Sequence, residues 1–238
     1  MATCRHSVTG TGQRWLIDQR TKEAEYVPPQ VIAIDGPAGS GKSTVARAVA
    51  DRLGLEYLDT GAMYRGVAHA VLRRGVDLND AEAVATVARS VDLDVTGSRC
   101  VVDGEDASEA IRGPEVTAAV SAVAANPAVR VELVKRQRRW VDELGGGVME
   151  GRDIGSVVFP DAELKVYLTA SAEVRARRRA DEFPGMGVQQ VAAEIRLRDD
   201  ADSSRAASPL ITADGARVLD TSDLTVRDAV DAIVEMLE

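Results

Sequence analysis

The chain is poor in cysteine, lacks a long apolar run and carries no excess of positive charge. Cys4 and Cys100 are its only thiols among 238 residues, and Cys4 falls in a polar terminal stretch. A disulfide framework is therefore not expected, and a reducing compartment fits. No apolar run reaches the length needed to span a bilayer. The first thirty residues hold Arg5, Arg14 and Arg20 but no apolar signal-peptide core, so the expected location is cytoplasmic, with no membrane partner. The formal charge of −9 argues against a nucleic-acid partner gripped by a basic coat. It leaves room for a local anion site, because phosphate sites are clusters of a few groups.

Apolar residues make up 45% of the chain, enough for a packed core. The length suits one α/β domain or two small ones. Residues 1–30 are mixed polar and charged, carry one apolar cluster at Trp15-Leu16-Ile17, and end in Pro28-Pro29. They read as a mobile, disordered extension, with a docking segment built on Trp15 as the alternative.

Val31-Ile32-Ala33-Ile34-Asp35 is a short β-branched apolar run, the pattern of a strand buried on both faces. Val45, Val49 and Leu53 then recur at four-residue steps until Gly54, which predicts a helix over 42–53. Glu56 to Asp59 predicts a second strand, and Met63 to Leu72 a second helix. This alternation implies a parallel sheet. Val91 to Val95 alternates, Gly97-Ser98 turns, and Cys100 to Val102 extends again. That predicts a small antiparallel hairpin inserted between helices. Helices over 114–125 and 127–144 each open with proline. Val148-Met149-Glu150, Leu164 to Leu168 and Arg217 to Asp220 bring the parallel strands to five. An arginine-rich helix over 171–181, a break over 183–187 and a closing amphipathic helix over 226–237 accompany them.

Gly36-Pro37-Ala38-Gly39-Ser40-Gly41-Lys42-Ser43, followed by Thr44, fits G-x-x-x-x-G-K-[ST] between a strand and a helix. Glycines let backbone N–H groups approach phosphate oxygens with no Cβ in the way. The helix start adds free N–H groups and a positive dipole end. Lys42 is placed to reach the β- and γ-phosphates, and the Ser43 hydroxyl to ligate Mg2+. ATP is the expected cofactor.

A phosphate loop alone does not separate a kinase from a GTPase or a motor. No Asn-Lys-x-Asp segment for reading guanine is present, and no apolar strand ends in Asp-Glu. Arginines are instead scattered over loops and helices: Arg65, Arg112, Arg130, Arg152, Arg175, Arg177, Arg178, Arg179, Arg198 and Arg205. Transfer between two phosphates gathers many anionic oxygens, and planar guanidiniums hold them well. The run Arg175 to Arg179 is also readable as a solvated helix face.

The segments Asp59-Thr60-Gly61-Ala62-Met63-Tyr64-Arg65, Glu150-Gly151-Arg152-Asp153-Ile154-Gly155 with Val157-Val158-Phe159-Pro160, and Arg198-Asp199-Asp200 to Ser208-Pro209-Leu210 resemble the bacterial cytidylate kinase family. The similarity runs from Val31 to the C-terminus. It implies a P-loop kinase, a three-layer α/β/α fold on a five-stranded parallel sheet. An acceptor-binding insertion at about 90–144 and a short lid at about 177–193 go with it. It implies ATP and Mg2+ as cofactors and CMP and dCMP as substrates. A monomer is expected, since the sequence shows no coiled-coil or strongly apolar surface helix. Thr60 and Arg65 correspond to the acceptor-phosphate site. Ser121 and Arg130 match the cytosine-contacting pair. Arg152 and Asp153 match the Gly-Arg-Asp motif beside the acceptor. Arg198, Asp202 and Arg205 match ribose- and base-side positions, and Arg178 belongs to the lid over ATP. On this reading Lys42, Arg152, Asp153 and Arg178 carry the transfer. One of Asp199 and Asp200 is expected to serve an arginine rather than substrate.

Cytosine offers an exocyclic amine where uracil offers a carbonyl, so a Ser hydroxyl or an Asp with an Arg can tell them apart. The acceptor phosphate, with a second pKa of about 6, is already nucleophilic at neutral pH and needs no general base. Having only His6 and His69 is therefore no obstacle. Two alternatives stay open from the residues alone: a kinase of this fold with another small acceptor, such as UMP or shikimate, and an ATP-dependent switch.

Overall fold

The computed structural model describes residues 6–8, 14–17, 24–27, 30–182 and 187–237. At the N-terminal end, His6–Val8 (β1), Arg14–Ile17 (β2) and Ala24–Val27 (β3) pair antiparallel in that order. Trp15 stands in β2, in register with Ser7 and Tyr26. Cys4 and most of the 183–187 break lie outside the described residues.

The central strand is Gln30–Asp35 (β4), and its register explains the layers. Alternate side chains leave a strand on opposite faces. Val31 and Ala33 enter one core, Ile32 and Ile34 the other. Lys42–Leu53 (α1) follows the phosphate loop and ends on the left-handed Gly54. Tyr57–Asp59 (β5) leads straight into Thr60–Arg73 (α2), whose N-terminus is capped by Asp59 accepting from Ala62 N–H at 2.8 Å.

Ala81–Ser90 (α3) then precedes three short antiparallel strands, Leu93–Thr96 (β6), Arg99–Val102 (β7) and Glu105–Asp106 (β8). Pro114–Ala125 (α4) and Pro127–Leu144 (α5) have the expected bounds. The Asn126 carboxamide oxygen joins them by capping α5 at Ala128 N–H, 3.0 Å, while its amide nitrogen donates to the Ala81 carbonyl at 2.8 Å. Gly146–Gly151 (β9), a single π turn at Ile154–Val158, Leu164–Thr169 (β10), Ala172–Glu182 (α6), Val188–Ser204 (α7), Arg217–Asp220 (β11) and Val226–Glu235 (α8) complete the chain. Helices α3 and α7 and strand β8 go beyond the elements the sequence pattern announces.

The sheet order is β11-β10-β4-β9-β5, with every pair parallel. The expected five-stranded parallel sheet is therefore present. Helices α1 and α8 cover one face, built on Ile32, Ile34, Val49 and Ile233. The other face meets α2, α4, α5 and the small sheet in a second core that includes Val67, Val123, Leu133 and Met149. Cys100 is buried in that second core, and burial pushes its thiol up to about 11. Among the described residues no helix is long and apolar enough to cross a membrane.

Strand β4 stands at the switch point of the sheet: the chain leaves it toward β5 on one side, and leaves the neighbouring β10 toward β11 on the other. A crevice opens beyond the carboxyl end of such a strand. The phosphate loop occupies that position.

Candidate active site

Gly36 leaves β4 at φ 153°, where a Cβ would stand 2.0 Å from the Leu168 carbonyl oxygen. Only glycine fits, and the chain turns there into the loop. Lys42 opens α1, and its side chain is buried. Its ammonium donates to the Pro37 carbonyl at 2.7 Å and to Ser40 Oγ at 3.4 Å. Burial brings its pKa down to about 7, with the cation of Arg152 adding to the effect. A phosphate placed here would restore the charge.

Beside the loop lies a cleft of about 600 Å³. It gathers Ala38, Gly39, Gly41, Lys42, Ser43 and Thr44 with Thr60, Arg65, Ser121, Arg130, Arg152, Asp153, Arg198, Asp202 and Arg205. These residues come from the loop and the start of α1, from α2, α4 and α5, from the turn after β9, and from α7 and its end, up to 167 positions apart in sequence. Gly36 and Pro37 shape the loop from behind. Ser40 and Arg178 line a separate cavity of about 260 Å³ on the loop's other flank, with Thr221 and Leu224. Arg178 donates to the Thr221 carbonyl at 2.7 Å and to Thr221 Oγ1 at 3.1 Å. Its neighbour Arg179 is the one that faces the main cleft.

The end walls of β5 and β9 are tied together. Thr60 Oγ1 donates to the Glu150 carbonyl at 2.7 Å, so its proton is committed and only its lone pairs face the cleft. Arg65 pairs with Asp59 at 3.1 Å. The Glu150 carboxylate is buried and accepts from the Tyr57 hydroxyl. Burial and the nearby Asp59 push its pKa up, while Lys42, Tyr57 and the Ser43 hydroxyl pull it back. Ser43, Glu150 and Asp59 thus offer only hard oxygen donors at the loop, the set that suits Mg2+.

Arg130 and Asp153 form a buried ion pair, with side chains 5% and 7% exposed. Arg130 also donates to the Ala124 carbonyl at 3.2 Å and lies over the Tyr64 ring, 5.3 Å from its centroid. Ser121 lines the same cavity one turn before Ala124 on α4. Arg152 donates to Asp202 at 2.9 Å, and Arg205 pairs with the other Asp202 oxygen at 3.4 Å. Arg198 is half-buried and has no hydrogen bond or ion pair among the described residues. Burial and the adjacent Arg152 lower its pKa to about 10. Lys42, Arg65, Arg152, Arg179 and Arg198 therefore supply cations in excess of the carboxylates around them, a cavity built for phosphate.

The family model for cytidylate kinase matches residues 32–238. The chain belongs to the cytidylate kinase family. It is 52% identical over 215 residues to the cytidylate kinase of Mycobacterium avium strain 104, covering 87% of this chain and 94% of that one. It is 49% identical over 210 residues to the cytidylate kinase of Caldanaerobacter subterraneus subsp. tengcongensis, covering 87% and 93%. A crystal structure of an uncharacterized protein from Eubacterium ventriosum ATCC 27560 superposes over 87% of this chain and 98% of its own with TM-score 0.52. At 11% identity that likeness speaks for the fold alone. Membership of the cytidylate kinase family makes the chain a nucleoside monophosphate kinase, an enzyme that draws on a nucleotide phosphate donor.

Several residues of this cytidylate kinase site carry no local sequence signal. Asp35 is buried and accepts from Ile154 N–H at 2.9 Å and Gly155 N–H at 2.8 Å, fixing the turn after Arg152-Asp153. Tyr57 and Thr221 are likewise set by tertiary contact. Asp35 does sit at a strand end directly before the loop, and that position is the one available hint.

Proposed function

We propose that this enzyme transfers the γ-phosphate of ATP to CMP or dCMP, giving CDP or dCDP, with Mg2+ as the metal. The observation that carries the reading is a single cavity. It contains the phosphate loop, an excess of guanidiniums, and the locked Arg130–Asp153 pair beside Ser121.

The amides of Gly39 to Ser43 and the Lys42 ammonium receive the donor phosphates. The flanking cavity against Arg178, Thr221 and Leu224 takes the donor's base. Ser43 would hold Mg2+ directly, with Glu150 through water. The ion would supply charge neutralisation on the β- and γ-oxygens. On the acceptor side Arg65 and Arg152 grip the CMP phosphate, with Thr60 at the wall. Arg130 donates to the cytosine ring acceptors, while Ser121 and Asp153 accept from the exocyclic amine. Arg198, Asp202 and Arg205 face the sugar and the base.

The acceptor phosphate is mostly a dianion at neutral pH, its second pKa being about 6. One of its oxygens bonds to the γ-phosphorus as the bond to the β-bridging oxygen breaks, and ADP leaves. Catalysis is then positioning plus charge stabilisation by Lys42, Arg152 and the lid arginines. Residues 31–238 act as the catalytic unit, with the insertion at about 90–144 on the acceptor and the lid at about 177–193 on the donor. A cytoplasmic monomer completes the reading.

Incubation with ATP and CMP tests it. CDP and ADP should appear in equal amounts, and ADP without CDP would contradict it.

A further inference from the structure

Val191, Ile195 and Asp199 follow one another at four-residue steps on α7. Val191 and Ile195 are buried and pack on Ala38 of the phosphate loop together with Ala180 of α6. Asp199 extends this stripe by one turn. One of its carboxylate oxygens accepts the Ala38 N–H at 3.0 Å, and the other is ion-paired with Arg175. Arg175 donates in turn to the Ala38 carbonyl at 3.0 Å. Both polar groups of Ala38 are thus taken by α6 and α7. At the next residue, a Cβ on Gly39 would stand 2.9 Å from the Arg175 carbonyl oxygen, so the α6 backbone rests directly on the loop.

Arg198 and Asp202 on the adjacent stripe of α7, and Arg205 capping its end, are spaced at i, i+4 and i+7, and all three line the main cleft. The rotation of α7 that seats Asp199 on the loop is therefore the rotation that aims these three groups. Arg175 and Asp199 are 15% and 17% exposed, so the tie is better shielded than a surface ion pair.

We infer that Asp199, locked by Arg175, is a positioning residue that couples the phosphate loop to the acceptor side by fixing α7 on Ala38. This rests on the reading of the cleft as a CMP site. The Ala38 N–H is committed to Asp199, which leaves the donor phosphates to the amides from Gly39 onward. Loosening Asp199 should then disturb the acceptor more than the donor.

Steady-state kinetics on the full chain test this with Asp199→Ala, Asp199→Asn and wild type side by side, varying CMP and ATP separately. Loss of a charge-assisted bond in Asp199→Ala should raise the CMP KM about tenfold and lower kcat. The ATP KM should stay within about threefold, since the remaining loop amides are intact. Asp199→Asn keeps an oxygen for the Ala38 N–H and should fall between. Arg175→Met combined with Asp199→Asn should be less harmful than the two effects added, because both break one tie. An unchanged CMP KM and kcat in Asp199→Ala would overturn the inference, and so would an ATP KM rising as much as the CMP KM. Should Asp199→Ala fail to fold, the same split in Asp199→Asn decides. Wild type without CMP turnover would sink the acceptor reading as well. Wild type with CMP turnover beside unaltered variants would sink only the role of Asp199.

Discussion

The Arg130 guanidinium is held against the Asp153 carboxylate in a pair that solvent scarcely reaches. Removing one member leaves the other charged and buried. Arg130→Met should therefore destabilise the protein by about 3 kcal/mol, read as a lower urea midpoint at unchanged m-value. A midpoint equal to wild type would mean that the pair is not formed in solution.

Ser121 stands on the same wall as that pair. With Ser121 reading the base as proposed, Ser121→Ala should lower the CMP-to-UMP ratio of kcat/KM about tenfold. ATP affinity should be unaffected. An unchanged ratio would take Ser121 out of base reading.

The buried Lys42, with its pKa near 7, makes a proton prediction. Burial biases this amine toward its neutral form in the free enzyme, and bound phosphates would favour its charged form. ATP binding should take up a proton in wild type beyond that in Lys42→Met. Calorimetry in buffers of different ionisation enthalpy measures the difference. Equal uptake would mean that Lys42 is already charged. Turnover in Lys42→Met should drop by at least about a hundredfold.

Asp35 is the opposite case, a carboxylic acid raised from 3.8 to about 6, mainly by burial, with bonds from Gly155 and Ile154 opposing. Its folded form holds the proton more tightly than the unfolded form. The stability it contributes is complete below about pH 4 and is lost as the pH rises through 6, about 3 kcal/mol in all. In Asp35→Asn this pH-dependent loss should vanish from urea titrations between pH 4 and 7. Persistence of the slope would assign it elsewhere.

Much of the fold was legible because the strongest demands are local. Strand β4 announces itself by an apolar run, and the loop by glycines that its backbone requires. The proline starts of α4 and α5 give bounds that match the structure. Helix α3 escaped because its buried face is Val84, Ala85, Val87 and Ala88, too small and too dense for clear periodicity. Its one plain signal is the cap at Asp80. Helix α7 escaped because Val191 and Ile195 bury while Leu197 is 70% exposed, which blurs the apolar stripe. The proposed acceptor residues are read from family resemblance, and the structure brings them into one cleft. The ties from Asp35 to Gly155 and from Asp199 to Ala38 span 120 and 161 positions, and no local pattern encodes such distances.

Cytidine monophosphate is the proposed acceptor. ADP release from ATP and Mg2+, followed by a coupled assay with CMP, dCMP, UMP, AMP and shikimate in turn, tests it most directly. CMP or dCMP should raise turnover at least about tenfold over the acceptor-free rate, well above the other three, as hydrogen-bonded recognition of the base demands. A rate indifferent to CMP and dCMP, or highest with UMP, AMP or shikimate, would contradict it.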